Sequence, residues 1–122
     1  MKPITRTLVG LILLIGLAVA AQAQNPAVRM KAGAPPELIS YNLQNLAVST
    51  ILVKGVVLTV FDAKTCKRLC VSKSQVNKKI AKCSTLDGQI RCAHPLPQAS
   101  GYIYHLKVLH NAGQTENWLY VP

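Results

Sequence analysis

YIYHLKVLHNAGQTENWLYV, residues 102–121, is the stretch that decides the fold. Tyr102, Tyr104, Leu106 and Val108 fall on one side of its first half, and Ile103, His105 and Lys107 on the other. A period of two residues marks a half-buried β-strand, because successive side chains leave a strand on opposite faces. Asn111-Ala112-Gly113 is a turn signal, and Trp118 to Val121 closes as a second strand. The spacing predicts an antiparallel hairpin at the heart of the fold, with Tyr104, Leu106 and Val108 inward. Of the remaining rings, one of Trp118 or Tyr120 is expected in the core beside Tyr104. The others, with Tyr41 and Tyr102, are candidate binding anchors.

Working outward, Leu38 to Leu43 alternates weakly and reads as a first strand. Ala47 to Val53 and Val56 to Phe61 are rich in β-branched residues and are separated by Lys54-Gly55, where Gly55 marks a turn or a bulge. Ser72 with Gln75 resembles a capping box, and Val76, Ile80 and Cys83 follow at i, i+4 and i+7, so the segment reads as a short helix or an ordered loop. Asp87-Gly88 predicts a small hairpin between Cys83 and Cys92. His94-Pro95-Leu96-Pro97 is a rigid connector, and Asn25 to Pro36, with three prolines, reads as an extended arm. Short strands joined by turns predict an all-β fold, a small antiparallel β-sandwich with a disulfide-stapled basic middle segment.

The hairpin resembles the last two strands of an immunoglobulin-like domain. Gly101, Tyr104, Leu106, Val108 and Asn111-Ala112-Gly113 follow the rhythm of that family's G-x-Y-x-C-x-V-x-N-x-x-G region, and Lys54 to Val60 resembles the strand that carries its first cysteine. The resemblance implies a sandwich and departs from the family at two points. Leu106 and either Val60 or Phe61 stand where the inter-sheet cysteines would be, and the buried tryptophan has no counterpart. No function follows from the architecture.

The chain opens with Lys2 and Arg6, the apolar run Leu8 to Ala20, and the small residues of Ala21-Gln22-Ala23. This is the pattern of a secretory signal peptide cut before Gln24. The run is shorter than the roughly 20 residues a membrane span needs, so no transmembrane segment is expected after cleavage. The expected organisation is a signal peptide over 1–23, an N-terminal arm over 24–36 and one sandwich domain over 37–122. The product is secreted, to the extracellular space or to a bacterial periplasm.

Loss of Lys2 and Arg6 with the leader lowers the formal net charge from +10 to +8. Between Lys64 and Cys92 lie Lys64, Lys67, Arg68, Lys73, Lys78, Lys79, Lys82 and Arg91, opposed only by Asp87. Lys67, Arg68, Lys73, Lys78, Lys79, Lys82 and Arg91 are therefore candidates for a partner-binding basic surface.

Cys66, Cys70, Cys83 and Cys92 form a C-x3-C-x12-C-x8-C pattern. In an exported chain an even count reads as two disulfides. Three connectivities are open, and nested pairing, Cys66 with Cys92 and Cys70 with Cys83, suits two facing antiparallel segments. The spacing fits neither a structural zinc site nor a redox C-x-x-C. No metal or cofactor is expected.

An enzyme is not expected either. His105 and His110 are an odd number of residues apart and would face opposite sides of a strand, whereas phosphate chemistry of the ribonuclease type needs two converging imidazoles. Glu37, Asp62, Asp87 and Glu116 make no recognisable acid/base pair, and no G-x-S-x-G, H-E-x-x-H or phosphate-cradling glycine loop occurs. The expected function is a secreted, non-enzymatic binding module that presents the basic segment to a protein receptor, an anionic glycan or an anionic surface. A docking subunit of a bacterial pilus or secretion apparatus and a cationic host-defence protein are the alternatives. Aromatics are sparse within the basic segment, which disfavours nucleic acid, whose bases need rings to stack on.

Overall fold

A computed structural model describes residues 25–122, and the leader expected over 1–23 lies outside them. The described residues are all-β, with seven strands: β1 (Ala27–Ala32), β2 (Leu38–Gln44), β3 (Ile51–Asp62), β4 (Arg68–Ile80), β5 (Thr85–Arg91), β6 (Tyr102–His110) and β7 (Gly113–Val121). They form two antiparallel sheets, one in the order β1-β2-β5 and the other β4-β3-β6-β7. The sheets pack face to face. Alternate residues of β2 (Ile39, Tyr41, Leu43), β3 (Val56, Leu58, Val60) and β6 (Tyr104, Leu106, Val108) are buried in one shared core.

The hairpin is as read from the alternation. β6 and β7 pair from Tyr102 with Val121 to His110 with Gly113, and Gly113 takes φ 132°, a conformation open to glycine but not to side-chain-bearing residues. Gly55 lies beside a bulge within β3 rather than at a turn between two strands. Val53 and Gly55 of β3 pair with Lys78 and Gln75 of β4, and Asn77 accommodates the mismatch with φ 47°.

Four sequence expectations are corrected. The arm expected over 24–36 contains β1, which pairs with β2 from Ala27 with Gln44 to Ala32 with Ile39 and buries Val28. The helical spacing of Val76 and Ile80 is incidental, because Ser72 to Ile80 lies within strand β4, where pairing to β3 overrides a weak helical pattern. Asp87-Gly88 is not a turn but runs through the middle of β5, with Gly88 opposite Tyr41. A Cβ on Gly88 would clash with the Tyr41 ring, so glycine is needed there for the ring to pack across the strand. Finally, the strand compared with the first-cysteine strand of immunoglobulin-like domains is β3, and Val60 sits beside Tyr104 of β6 in the same sheet. Val60 and Leu106 therefore do not face each other across the sandwich.

Side chains close both open sides of the sandwich. On one side the Cys70–Cys92 disulfide joins β4 to the end of β5, and Ser72 Oγ donates to Arg91 O at 2.8 Å. On the other, Asn117 Nδ2 of β7 donates to Val28 O of β1 at 2.7 Å. At the crossing from β4 to β5 the fully buried Asn45 donates from Nδ2 to Ile80 O and Ser49 O, and accepts at Oδ1 from Ala47 N. Its backbone also exchanges hydrogen bonds with Cys83 and Ser84.

His110 holds the β6–β7 turn. Its Nδ1 accepts from Ala112 N, its Nε2 lies 3.0 Å from Thr115 Oγ1, and the Thr115 hydroxyl donates to Asn25 O. This chain of donors requires a neutral imidazole, and burial pushes the His110 pKa below its ordinary value of 6.5. As pH falls through 6.5 the unfolded chain takes up the proton first, so folding stability declines, while well above 6.5 this residue adds no pH dependence. Denaturant unfolding across pH 5–8 is expected to show that decline in the wild type and a flatter profile in His110→Gln. At neutral pH, Leu106→Ala is expected to cost about 2–5 kcal/mol as a core truncation, whereas Lys107→Ala on the outer face costs within about 0.5 kcal/mol.

Candidate functional site

The inner faces of the sheets are committed to the core, which leaves the outer surfaces for recognition. β4 is an edge strand of 13 residues, about 40 Å long at strand rise. Every candidate basic residue on or beside it is exposed, but they do not form one patch. Lys67 lies in the β3–β4 turn, Arg68 and Lys73 lie in β4, Lys78 and Lys79 lie at its far end, and Lys82 lies in the β4–β5 turn. Arg91 ends β5 in the other sheet. The positive charge is thus a stripe along one edge. Lysines on an edge strand also discourage pairing with other chains.

Among the described residues no ion pair neutralises the stripe. Asp62 accepts from the Lys64 and Thr65 amides, Glu37 from the Leu96 amide and Asp87 from Asn42 Nδ2. Glu116 is bound to His105. All four carboxylates thus have partners inside the fold, and among the described residues no lysine or arginine forms an ion pair with any of them.

Register extends the stripe across the outer face of the four-stranded sheet. Arg68, Phe61, Ile103 and Tyr120 form one row over β4, β3, β6 and β7. Val71, Thr59, His105 and Trp118 form the next, followed by Lys73, Val57, Lys107 and Glu116. Trp118 and Tyr120 are 56% and 62% exposed, so neither is the core residue expected of one of them. Trp118 rests on the His105 ring at a centroid distance of 4.2 Å and beside Phe61 at 6.2 Å. Beyond these rows a hollow of about 540 Å³ opens over Gly55, floored by Leu52, Val57 and Leu109 and rimmed by Lys54 and Lys73.

The other candidates are dispersed. His105 faces outward and His110 is buried on the opposite side of β6, while His94 is exposed in the connector. Among the described residues no group of three or more His, Cys, Asp or Glu side chains is placed to hold a metal ion. Tyr41 and Tyr104 are buried, and the Tyr104 hydroxyl donates to Pro36 O. Burial, Tyr102 and Glu37 together raise the Tyr104 pKa to about 12.

The nested disulfide pairing is replaced by a single bridge between Cys70 and Cys92, whose Cα atoms are 6.2 Å apart. Cys66 and Cys83 are free and exposed. The reason is geometric. Cys66 and Cys83 lie in the turns at opposite ends of β4, far beyond the roughly 7 Å Cα separation a disulfide spans. The inward-facing Cys70 meets Cys92 just past the end of β5. The Cys70–Cys92 bridge fits an oxidising compartment, extracellular or periplasmic.

The residues missed by sequence reasoning are Phe61, His105 and Trp118 as one stacked cluster, because they come from β3, β6 and β7. The odd numbers of β6, read only as the solvent side, were the available signal. No family model matches the chain, and no curated protein aligns with it significantly.

Thiol titration of the native protein is expected to find two reactive groups, removed one at a time by Cys66→Ser and Cys83→Ser. Loss of the bridge in Cys70→Ala/Cys92→Ala should lower stability by about 3 kcal/mol in denaturant unfolding, mainly through a less restricted unfolded chain.

Proposed function

We propose that the chain is an exported, non-enzymatic binding module with an immunoglobulin-like arrangement, which engages an anionic partner through the basic stripe of β4. The observation that carries this reading is the lack of ion pairs to the stripe among the described residues. The four carboxylates bond backbone amides, Asn42 and His105, and among the described residues none pairs with a lysine or arginine, which supports a stripe whose positive field reaches solvent.

Two features support the immunoglobulin-like part. Strand orders 1-2-5 and 4-3-6-7 differ from a constant-type immunoglobulin sandwich only in the fourth strand, which here joins the second sheet. The Tyr102 hydroxyl donates to Pro97 O five residues upstream, the kind of link a tyrosine corner makes, although two residues earlier than the family pattern places it. Docking by an added strand is the less favoured alternative, because lysines line β4 and side chains bridge β1 to β7 and β4 to β5.

Neutralising Lys78→Gln, Lys79→Gln and Lys82→Gln together is expected to leave folding intact, since exposed charges contribute little to stability. Retention on a heparin column should fall, and affinity for a soluble polyanion should drop by about tenfold at low salt, the difference shrinking as ionic strength rises. Unchanged retention across salt concentrations would make the stripe a solubility feature and remove the basis of this reading.

A further inference from the structure

The outer face of the four-stranded sheet brings exposed rings and unpaired cations into register. From β4 to β7 it spans three inter-strand spacings, about 14 Å, with Arg68 and Lys73 at one side and Trp118 and Tyr120 at the other. Lys107 lies between them on β6, opposite Glu116, whose carboxylate is bound to His105. Trp118 and Tyr120 are alternate residues of β7 and therefore present their rings on the same side. The Trp118 ring lies against the His105 ring, tilted to it, and His105 is itself tied to Glu116.

We propose that this face binds an acidic polysaccharide, with sugar rings stacked on Trp118 and Tyr120 and its carboxylate or sulfate groups held by Lys107, Lys73 and Arg68. The proposal rests on the anion-binding reading above and adds the chemical class of the partner. Sugar rings present C–H groups that pack on the electron-rich faces of aromatic rings, while their acidic substituents pair with ammonium and guanidinium groups. An open face suits a polymer lying across it.

Charge selects among the other occupants. A second copy of this chain would bring Arg68, Lys73 and Lys107 against their own counterparts, and its four carboxylates are already engaged within the fold. An extended peptide would gain no backbone hydrogen bonds from β3 and β6, which are paired on both sides. Single-stranded nucleic acid shares the requirement for rings and cations, but the oxidising environment that the disulfide fits favours glycans as the polyanion encountered.

The test is calorimetric binding of the mature chain to four probes: an alginate oligomer, inorganic polyphosphate of matched charge, an oligothymidylate and phosphatidylglycerol vesicles. Trp118→Ala/Tyr120→Ala, which removes two exposed rings, is expected to lose about tenfold or more in alginate affinity and to keep polyphosphate affinity within about twofold. Trp118→Phe should retain most of the alginate affinity. Arg68→Gln/Lys73→Gln should weaken both polyanions, with a salt dependence that the ring variant lacks. Because Trp118 is the single tryptophan, its emission is expected to shift with alginate and not with polyphosphate. Melting curves of each variant confirm folding. Unaltered alginate affinity in the ring variant, or equal loss for alginate and polyphosphate, overturns the polysaccharide assignment while leaving the anion-binding reading in place. Tighter, ring-dependent binding of oligothymidylate or vesicles than of alginate reassigns the face to nucleic acid or membrane. Failure of wild type to bind any of the four overturns the anion-binding reading itself.

Discussion

The sandwich depends on how the chain leaves one sheet at the end of β4 and enters the other at the start of β5. No continuous ladder joins these strands, so the crossing must be held by other groups. Asn45 does this from the loop after β2. Its amide donates twice, to Ile80 O and Ser49 O, its carbonyl accepts from Ala47, and its backbone meets Cys83 and Ser84. A fully buried amide with this many partners is favourable only while all of them are in place. The side chain thereby holds the end of β4 while the backbone of the same residue holds the turn before β5, which starts β5 in the register against β2 that sets Gly88 under Tyr41. The Cys70–Cys92 bridge and Ser72 fasten the other end of the same pair of strands. Between the two attachments the β4 edge is left free, and the lysines occupy that interval and its flanks.

The legible parts of the fold were those whose two faces differ. β6 alternates between core and surface, and β2 buries Ile39, Tyr41 and Leu43 while leaving Leu38, Ser40 and Asn42 partly open. Period two appears in both. β4 was hidden because it is an edge strand with few buried residues, chiefly Cys70 and Ile80 at its two ends. Val76 and Ile80 happen to fall one helical turn apart, and no local feature corrects that reading. β1 was hidden by the prolines on either side of it, Pro26 and Pro35-Pro36, and by contributing only Val28 fully to the core. The disulfide partner was beyond sequence because Cys70 and Cys92 meet through a crossing set by Asn45, not through the strand pattern around either cysteine.

The candidate surface divides in the same way. Charge is local in sequence, so the basic segment could be located residue by residue. The ring cluster is not local: Phe61, His105 and Trp118 come together because β3 pairs with β6 and β6 with β7. Aromatics are sparse within the basic segment itself, but neighbouring strands place Phe61 and Tyr120 in the same row as Arg68, and Trp118 and His105 in the row between Arg68 and Lys73.

The position of Cys66 and Cys83, in the turns that open and close β4, gives the protein two chemical handles on opposite poles. A force applied between them would run along the strand axis. Because both handles flank one strand that is already extended, the backbone of β4 would carry that load, and the β3–β4 ladder, from Ile51 with Ile80 to Phe61 with Arg68, would not be sheared. A pull on the C-terminal end of β7 would instead peel that edge strand from β6 one pair at a time, starting at Val121 with Tyr102. The fold is therefore mechanically anisotropic, stiff along its charged edge and weak across its aromatic one.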